Sequence, residues 1–344
     1  MTHVVRVAFL TGGGRRIGFG HVRRCLSLAL ALRNLGAQSL FLLDGDPEVF
    51  ELVVAAGHET TRIRIGHDVE DTVSQCRDSN LDAIVADSYS FSTSYFRGLG
   101  EAARVVVVLD DLADRELPVT LVVNGSAGAG RLRYRGSSET TYLLGPQYIL
   151  LRQEFAEAPA RTIAGRIGRV LITMGGSDPN NLTLRLMQWV ARVLGSVNQD
   201  VVVGPLFENL AALQAEAETA AGSITLHRDP ADMRSLMLAA DLALCGGGQT
   251  TYELAASGTP AIAVRTAENQ TVNLNGLLAA GSLIWAGNAN DADLESKVTC
   301  ELATLAGDAV RRAAMSRQGR MLVDGQGAAR VTKSILSLVG ECTA

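Results

Sequence analysis

A glycine-rich turn followed by hydroxyl and carboxylate side chains is the stretch of the sequence best suited to chemistry. It reads CGGGQTTYE from Cys245 to Glu253 and follows an apolar run that predicts a buried strand. A glycine turn that opens a helix presents free backbone N–H groups and the positive end of the helix dipole, which suits a diphosphate. Glu253 lies one turn beyond Thr250 on the same helix face, where its carboxylate can accept both hydroxyls of a ribose. We therefore predict nucleotide binding by Gly247, Gly248, Gln249, Thr250, Thr251 and Glu253, with an ordinary glycine helix cap as the alternative.

His21 is the strongest candidate for a general base. It follows Gly18-Phe19-Gly20 and lies in the first turn of a predicted helix. The positive potential at a helix N-terminus favours a neutral imidazole, which can accept a proton near neutral pH. Glycines such as Gly18 and Gly20 let a ligand approach the backbone closely. The alternative is a histidine that caps its own helix.

Further polar side chains follow predicted strands, and each group has a structural alternative. Gly175, Gly176 and Ser177 form a second glycine turn and predict another anion-binding loop. Substrate hydroxyls are the predicted partners of the strand-end residues, although one of the adjacent pair Asp110 and Asp111 is expected to cap a turn. Asn269 has ordinary helix capping as its alternative. These candidates for substrate binding are Asp87, Asp110, Asn269 and Gln270.

Length and charge limit the class of protein. The chain has 344 residues and a net charge of −5, which predicts two domains and argues against a nucleic-acid partner. The five cysteines are scattered without paired spacing, which predicts reduced core thiols and no metal site. No apolar run reaches the roughly 18 residues that a membrane span needs. We expect a cytoplasmic protein with no cofactor, and its oligomeric state is not predicted.

Short apolar strands alternate with amphipathic helices, which predicts α/β architecture with parallel sheets covered on both faces. Predicted strands lie at 4–10, 38–43, 60–65, 83–86, 104–109 and 121–123, and again at 170–174, 200–203, 223–226, 241–244 and 261–264. We predict two doubly wound Rossmann-like domains, 1–158 and 166–344, with a linker at 156–165 and a helical tail in the second domain. Ligands of such sheets bind beyond the carboxyl ends of the strands, so a cleft between the domains is the predicted site.

Ordered motifs along nearly the whole chain resemble one enzyme family, the UDP-sugar hydrolases of pseudaminic acid biosynthesis and their spore-coat polysaccharide relatives. The stretches that carry the resemblance are 17–26 (IGFGHVRRCL), 109–115 (LDDLADR), 144–155 (LGPQYILLRQEF), 174–179 (MGGSDP), 248–253 (GQTTYE) and 269–270 (NQ). The family has the type B glycosyltransferase fold (GT-B) and is similar to the murein glycosyltransferase. The loop 11–16 (TGGGRR) departs from the family pattern, and Arg15 or Arg16 is predicted to supply a positive charge to the substrate.

The resemblance implies a reaction and residue roles. The family substrate is UDP-2,4-diacetamido-2,4,6-trideoxy-β-L-altropyranose, and water displaces UDP from its anomeric carbon with inversion. The resemblance implies that His21 activates the water, that Tyr89 lies near the sugar and that Glu253 binds the ribose. It implies no metal. An inverting glycosyltransferase is the main alternative; a UDP-sugar 2-epimerase and a non-catalytic nucleotide-sugar binding protein are also considered.

Overall fold

The computed structural model describes residues 3–343 except 15, 16, 66–68, 158, 160 and 221. The chain divides into two compact units, one formed by Met1–Gln153 with Gln326–Ala344 and the other by Glu154–Gly325. This division differs from the predicted boundaries 1–158 and 166–344. Below, these are called the first and the second unit.

The first unit contains a seven-stranded parallel sheet in the order β3-β2-β1-β4-β5-β6-β7. Its central strands are buried along their length, because apolar side chains point to helices on both faces. The elements are β1 (Arg6–Gly13), α1 (Gly20–Arg33), β2 (Gln38–Gly45), α2 (Pro47–Ala55), β3 (Glu59–Arg62), α3 (Val69–Asp78), β4 (Ala83–Asp87), α4 (Thr93–Leu99), β5 (Val105–Leu109), β6 (Leu121–Asn124) and β7 (Thr141–Leu144).

The second unit contains a six-stranded parallel sheet in the order β10-β9-β8-β11-β12-β13. The two doubly wound α/β domains that the sequence predicts are therefore confirmed. The elements are β8 (Arg169–Thr173), α5 (Leu182–Leu194), β9 (Asn198–Val203), α6 (Leu210–Thr219), β10 (Ile224–Arg228), α7 (Met233–Ala239), β11 (Leu242–Gly246), α8 (Thr250–Ser257), β12 (Ala261–Arg265), α9 (Thr271–Ala279), β13 (Ile284–Asn288), α10 (Leu294–Gly307) and α11 (Ala309–Leu322).

The last helix, α12 (Gly327–Thr343), belongs to the first unit rather than to the second. It packs against α1 and β5 and buries Val331, Ile335 and Val339. Gly325 has φ of 72°, and a Cβ there would clash with the Phe155 backbone. Gly325 therefore interrupts the helical tail between α11 and α12. The apolar face of α12 packs against the first unit.

The predicted linker is fastened to the second unit. Arg161 donates hydrogen bonds to the Leu238 and Ala240 carbonyls at the end of α7, and Arg312 donates to the carbonyl of Ala164. Arg312 is fully buried in α11. Guanidinium groups commonly satisfy the last carbonyls of a helix in this way.

Two strands and one helix start differ from the sequence predictions. The edge strands β7 and β13 are absent from the predicted set, because both are short and contain polar or glycine residues. Helix α5 begins at Leu182, not at Asp178-Pro179, since Asn181 adopts a left-handed conformation with φ of 51°. Asp178 still acts as a cap from four residues before the helix.

Three of the cysteines, Cys25, Cys76 and Cys245, are buried thiols as predicted. Cys300 is exposed, so the expectation of a core thiol is wrong there. In the part of the chain that the structure describes, no helix is both long and apolar enough to cross a membrane.

Candidate active site

The residues of the first unit that could do chemistry meet where the strand order reverses. Strand β1 lies between β2 and β4, and Thr11 of β1 pairs with Asp87 at the end of β4. In a doubly wound sheet this switch point leaves a crevice beyond the carboxyl ends of the strands, where ligands bind. Helix α1 starts from the loop after β1 and carries His21 in its first turn.

His21 is oriented by Asp87. The Nδ1 atom of His21 lies 2.6 Å from Oδ1 of Asp87, and the histidine is only 8% exposed. The network assigns the proton to Nδ1, because an ionised carboxylate can only accept a hydrogen bond. The Nε2 atom has no hydrogen-bond partner among the described residues, so its lone pair is available to accept a proton.

Arg24 holds Asp87 in its ionised form. Its Nε and Nη2 donate to the two oxygens of Asp87 at 2.7 and 2.6 Å, and Nη1 donates to Asp111 at 2.8 Å. Burial raises the pKa of the Asp87 carboxyl, but the charge of Arg24 and the hydrogen bonds from Arg24 and His21 outweigh it and hold that pKa well below its usual range. Asp87 is fully buried. The carboxylate is engaged with His21 and Arg24, and substrate binding by Asp87 stays a prediction.

Tyr89 contacts two members of this network, His21 and Asp111. Its ring meets the His21 ring edge-on at 4.7 Å between centroids, and its hydroxyl donates to Oδ2 of Asp111 at 2.7 Å. Arg115 fixes the loop that carries Tyr89 by donating to the carbonyl of Tyr89 at 2.9 Å and to that of Phe91. Tyr89 thus lies beside the predicted base; its catalytic role stays a prediction.

Asp110 has the capping role that the sequence left open. Its Oδ2 accepts hydrogen bonds from the backbone N–H groups of Leu112 and Ala113 and from the hydroxyl of Tyr134, at 2.8–3.1 Å. Burial raises the pKa of the Asp110 carboxyl above its usual value, although these donors oppose the shift. The carboxylate is turned into its own loop, and substrate binding by Asp110 stays a prediction.

The loop before α1 is closed by a backbone bridge. Gly14 and Gly18 exchange two N–H···O hydrogen bonds, of 3.1 and 2.7 Å, and Gly18 has φ of 79°. Apart from its neighbours in its own stretch of chain, no atom of the described residues lies within 4 Å of a Cβ placed on Gly18 or on Gly20, so no described side chain requires a glycine there. Both keep their predicted place beside His21. Arg15, predicted to bind the substrate, lies outside the described residues.

The second unit repeats the switch-point arrangement. Strands β8 and β11 are neighbours, and a Cβ on Gly246 would lie 3.3 Å from the carbonyl of Met174. The loop with Gly175, Gly176 and Ser177 and the loop with Gly247 and Gly248 therefore leave the sheet side by side. This placement agrees with the general rule for nucleotide sites in such sheets.

The two helices that follow these loops differ at their N-termini. Asp178 accepts the N–H groups of Leu182 and Thr183 at 3.0 and 2.6 Å, so the start of α5 already has an anion. Helix α8 begins after Gln249 without a side-chain cap. Of the two helix starts, that of α8 fits the predicted diphosphate site better, because the described residues give its N-cap no side-chain hydrogen bond.

The polar side chains near α8 divide into a group that builds the turn and a group that is partly exposed. The hydroxyl of Thr251 donates to the Gly248 carbonyl at 2.7 Å, and the Asn273 amide donates to Thr251 and to the Gly247 carbonyl. Thr251 is 2% exposed. Its side chain builds the turn, whereas Thr250 and Glu253 are only half-buried. Nucleotide binding by Thr251 stays a prediction.

Gln270 supports the turn after β12. Its Oε1 accepts the Thr266 N–H at 2.8 Å, and the same oxygen would lie 2.8 Å from a Cβ on Gly247. Asn269 is exposed and directly precedes Gln270, the N-cap residue of α9. Substrate binding by Asn269 and Gln270 stays a prediction. Among the described residues, no group of histidine, cysteine and acidic side chains could hold a metal ion.

Arg24 belongs to this network but received no role in the sequence analysis, which considered Asp111 only together with Asp110. A signal for Arg24 was present, since it follows His21 by three residues on a helix face that otherwise buries Cys25 and Leu28. Nothing local links Arg24 to Asp111, 87 positions later.

Comparisons with known proteins agree with this architecture. No family model matches the chain. The chain is 23% identical over 342 residues to the spore coat polysaccharide biosynthesis protein SpsG of Bacillus subtilis, covering 97% of this chain and 98% of that protein. It is 24% identical over 259 residues to the pseudaminic acid cytidylyltransferase and UDP-2,4-diacetamido-2,4,6-trideoxy-β-L-altropyranose hydrolase of Helicobacter pylori, covering 74% of this chain. An uncharacterized protein of Methanocaldococcus jannaschii is 25% identical over 281 residues, 77% of this chain.

The chain spans 57% of the Methanocaldococcus protein and 43% of the Helicobacter protein, so it matches only part of each. Among solved structures, MurG of Acinetobacter baumannii has a TM-score of 0.69 at 18% identity, covering 97% of this chain and 99% of that one. These comparisons confirm the resemblance that the motifs indicate, and they confirm the GT-B fold.

Proposed function

We propose that the protein is a nucleotide-sugar hydrolase that releases UDP from a UDP-linked diacetamido-trideoxy sugar. The observation that carries the proposal is the His21–Asp87 pair at the switch point of the first sheet, with Nε2 of His21 open. The ordered motifs and the name of the Helicobacter relative support the choice of substrate class. The GT-B fold supports the broader statement that the substrate is a nucleotide-sugar.

The reaction is a single displacement at the anomeric carbon. Nε2 of His21 takes a proton from water while the water oxygen forms a bond to that carbon on the face opposite UDP. The bond between the carbon and the phosphate oxygen breaks, and its electron pair leaves with UDP. A positioned base contributes about 10²–10⁴ in rate. Asp87 stabilises the imidazolium that forms, as the carboxylate of a serine protease triad does.

The second unit supplies the nucleotide site in this proposal. The uncapped start of α8 stabilises the charge that develops on the departing diphosphate, and Thr250 adds a hydroxyl donor. Glu253 accepts the ribose hydroxyls. Gly175, Gly176 and Ser177 form the adjacent loop, whose contacts with the nucleotide are part of the proposal. We expect the enzyme to act in the cytoplasm, where nucleotide-sugars are made.

An inverting glycosyltransferase is the second candidate. The same base and the same leaving group serve that reaction when a sugar hydroxyl replaces water. The observation that favours it is a stretch of 105 residues, 29% of this chain, that is 36% identical to the UDP-N-acetylglucosamine–N-acetylmuramyl-(pentapeptide) pyrophosphoryl-undecaprenol N-acetylglucosamine transferase of Salinibacter ruber.

The test is UDP release from a panel of UDP-sugars without an added acceptor, followed by proton NMR of the anomeric signal. Stoichiometric UDP with a free, inverted sugar supports the hydrolase. Tight UDP binding with only trace release contradicts it and favours the transferase. The His21→Ala variant is the control, since it should retain UDP affinity and lose turnover; unchanged turnover would refute the assignment of the base.

A further inference from the structure

A cationic pocket lies at the amino edge of the first sheet, at the opposite ends of the strands from His21. It has a volume of about 290 Å³ and is lined by residues at the starts of β1, β2 and β3 and at the ends of α1 and α2. The polar and charged lining residues are Arg6, Arg33, Gln38, Ser39, His58 and Glu59. Nothing in the candidate active site uses them.

His58 is the most informative residue of this pocket. It is 9% exposed, and its ring packs against Phe41 with 5.2 Å between ring centroids. Across the described residues, neither nitrogen of its ring has a hydrogen-bond partner. The ring nitrogens of His58 therefore keep hydrogen-bonding capacity that a ligand in the pocket can use.

Ser39 gives a second, independent sign of a missing ligand. Its Oγ is buried and has no hydrogen-bond partner in the described structure, and the residue lines the same pocket. A hydroxyl can donate to an anion and adjust its hydrogen direction to suit it. Ser39 and His58 thus offer two donors whose hydrogen-bonding capacity is unused within the protein.

The charges around His58 favour an anion. Arg33 donates from Nη1 to the Ala56 carbonyl at 3.0 Å, which places its guanidinium over the end of α2. Arg6 is the second cation and Glu59 the one carboxylate among the lining residues. Asp82, next to the pocket-lining Leu81, is already paired with His3 and with the backbone N–H of Arg6. Burial and the nearby Arg33 both lower the pKa of His58.

We propose that this pocket is a second, non-catalytic binding site for a small soluble phosphate-bearing ligand. Two guanidinium groups provide paired N–H donors that match phosphate oxygens, and the Ser39 hydroxyl and a protonated His58 complete the set of donors. The volume is large enough for the phosphate group together with a compact substituent. Arg33 ends α1 and His21 begins it, so an occupied pocket lies at the other end of the helix that carries the predicted base.

The experiment titrates the full chain with inorganic phosphate and, in parallel, with sulfate, whose charge does not change near neutral pH. Calorimetry measures affinity, and proton NMR follows the C–H signals of the histidine rings, with His58→Gln used to assign the His58 signal. The expected result is a rise in the pKa of His58 on anion binding. Sulfate affinity should fall as the pH rises through that pKa, because the protonated His58 is lost while Arg6, Arg33 and Glu59 keep their charges.

Variants separate this site from other anion sites. Arg33→Gln and Arg6→Gln should each weaken phosphate binding about tenfold or more, since each removes a charged hydrogen bond. Arg97→Gln is the matched control, because Arg97 is exposed on the same unit and does not line the pocket. The Arg33 side chain caps α2, so Arg33→Gln also changes the stability of that helix. Arg6→Gln tests the same pocket and leaves the cap of α2 in place. Binding that shifts the His21 signal instead of His58, or that survives both variants, would overturn the proposal, as would no binding at all.

Discussion

Nδ1 of His21 lies 2.6 Å from Oδ1 of Asp87, and Arg24 donates hydrogen bonds to both oxygens of the same carboxylate. The three side chains form one network. In it the buried Arg24 cation keeps Asp87 ionised, and Asp87 keeps the His21 imidazole in a single tautomer. The network is built from α1 and the end of β4, two rigid elements that meet at the switch point of the sheet. A base on such elements has little freedom to leave its position.

Replacing Asp87 with Asn should lower kcat for UDP release by about 10²–10⁴. An amide can donate to Nδ1 and thereby move the proton to Nε2, which removes the lone pair that accepts the proton from water. UDP affinity should stay close to that of the unmodified protein in calorimetry. The control is Asp114→Asn, which removes a half-exposed carboxylate on the same unit. Equal kcat in Asp87→Asn and Asp114→Asn would mean that the pair has no role in the reaction.

Replacing Arg24 with Met should lower the free energy of unfolding by about 3–5 kcal/mol, because it leaves two largely buried carboxylates without their cation. Urea denaturation measures the loss. Arg97→Met is the comparison, since the exposed Arg97–Glu116 pair at 3.4 Å should contribute only about 0–1 kcal/mol. If the two variants lose similar stability, Arg24 does not stabilise the buried carboxylates as proposed.

The same network predicts a specific loss of stability in acid. The pKa values of Asp87 and Asp111 are both depressed in the folded protein: burial opposes the shift, and the charge of Arg24 outweighs it. A depressed pKa adds stability above the unfolded value of about 3.9, and that stability is lost as the pH falls through the folded value. Unfolding measured from pH 6 downward should therefore show a steeper decline for the unmodified protein than for Asp87→Asn. Parallel curves would contradict the depressed pKa of Asp87.

The sequence predicted most of the sheet strands, because a buried parallel strand is an uninterrupted apolar run such as Val105–Leu109. It placed His21 correctly in the first turn of α1, since Gly20 and the following apolar positions mark the helix start. Both glycine turns also fall at switch points, as the alternation of strands and helices required.

The remaining features depend on contacts between distant parts of the chain. The prediction of substrate binding by Asp87 rests on its position at a strand end. That position does not reveal that Arg24 and His21 enclose the carboxylate. The predicted start of helix α5 is too early, since Asp178 caps the helix across three intervening residues rather than as its neighbour. The tail was assigned to the second domain, because periodicity shows that α12 has an apolar stripe but not which unit that stripe covers.

Glu253→Gln should weaken UDP binding by about 1–3 kcal/mol if the carboxylate accepts the two ribose hydroxyls. The amide keeps the size of the side chain, but it has one acceptor oxygen in place of two. Calorimetry with UDP and with 2′-deoxy-UDP measures the effect, and the variant should lose most of the preference for the ribose form. The control is Glu268→Gln, an exposed carboxylate paired with Arg265. An unaltered affinity for UDP in Glu253→Gln would remove the ribose role.

Thr250 and Thr251 are adjacent hydroxyls for which the structure predicts opposite consequences of the same substitution. Thr251→Val removes the hydroxyl that donates to the Gly248 carbonyl and accepts from Asn273, leaving the Asn273 amide short of a partner. It should lower the free energy of unfolding by about 1–3 kcal/mol. Thr250→Val removes a half-buried hydroxyl at the uncapped start of α8, so stability should change little while UDP affinity falls about three- to tenfold. Urea denaturation measures the free energy of unfolding of each variant, and calorimetry measures its affinity for UDP. If Thr250→Val loses stability and keeps its affinity for UDP, the diphosphate does not bind at the start of α8.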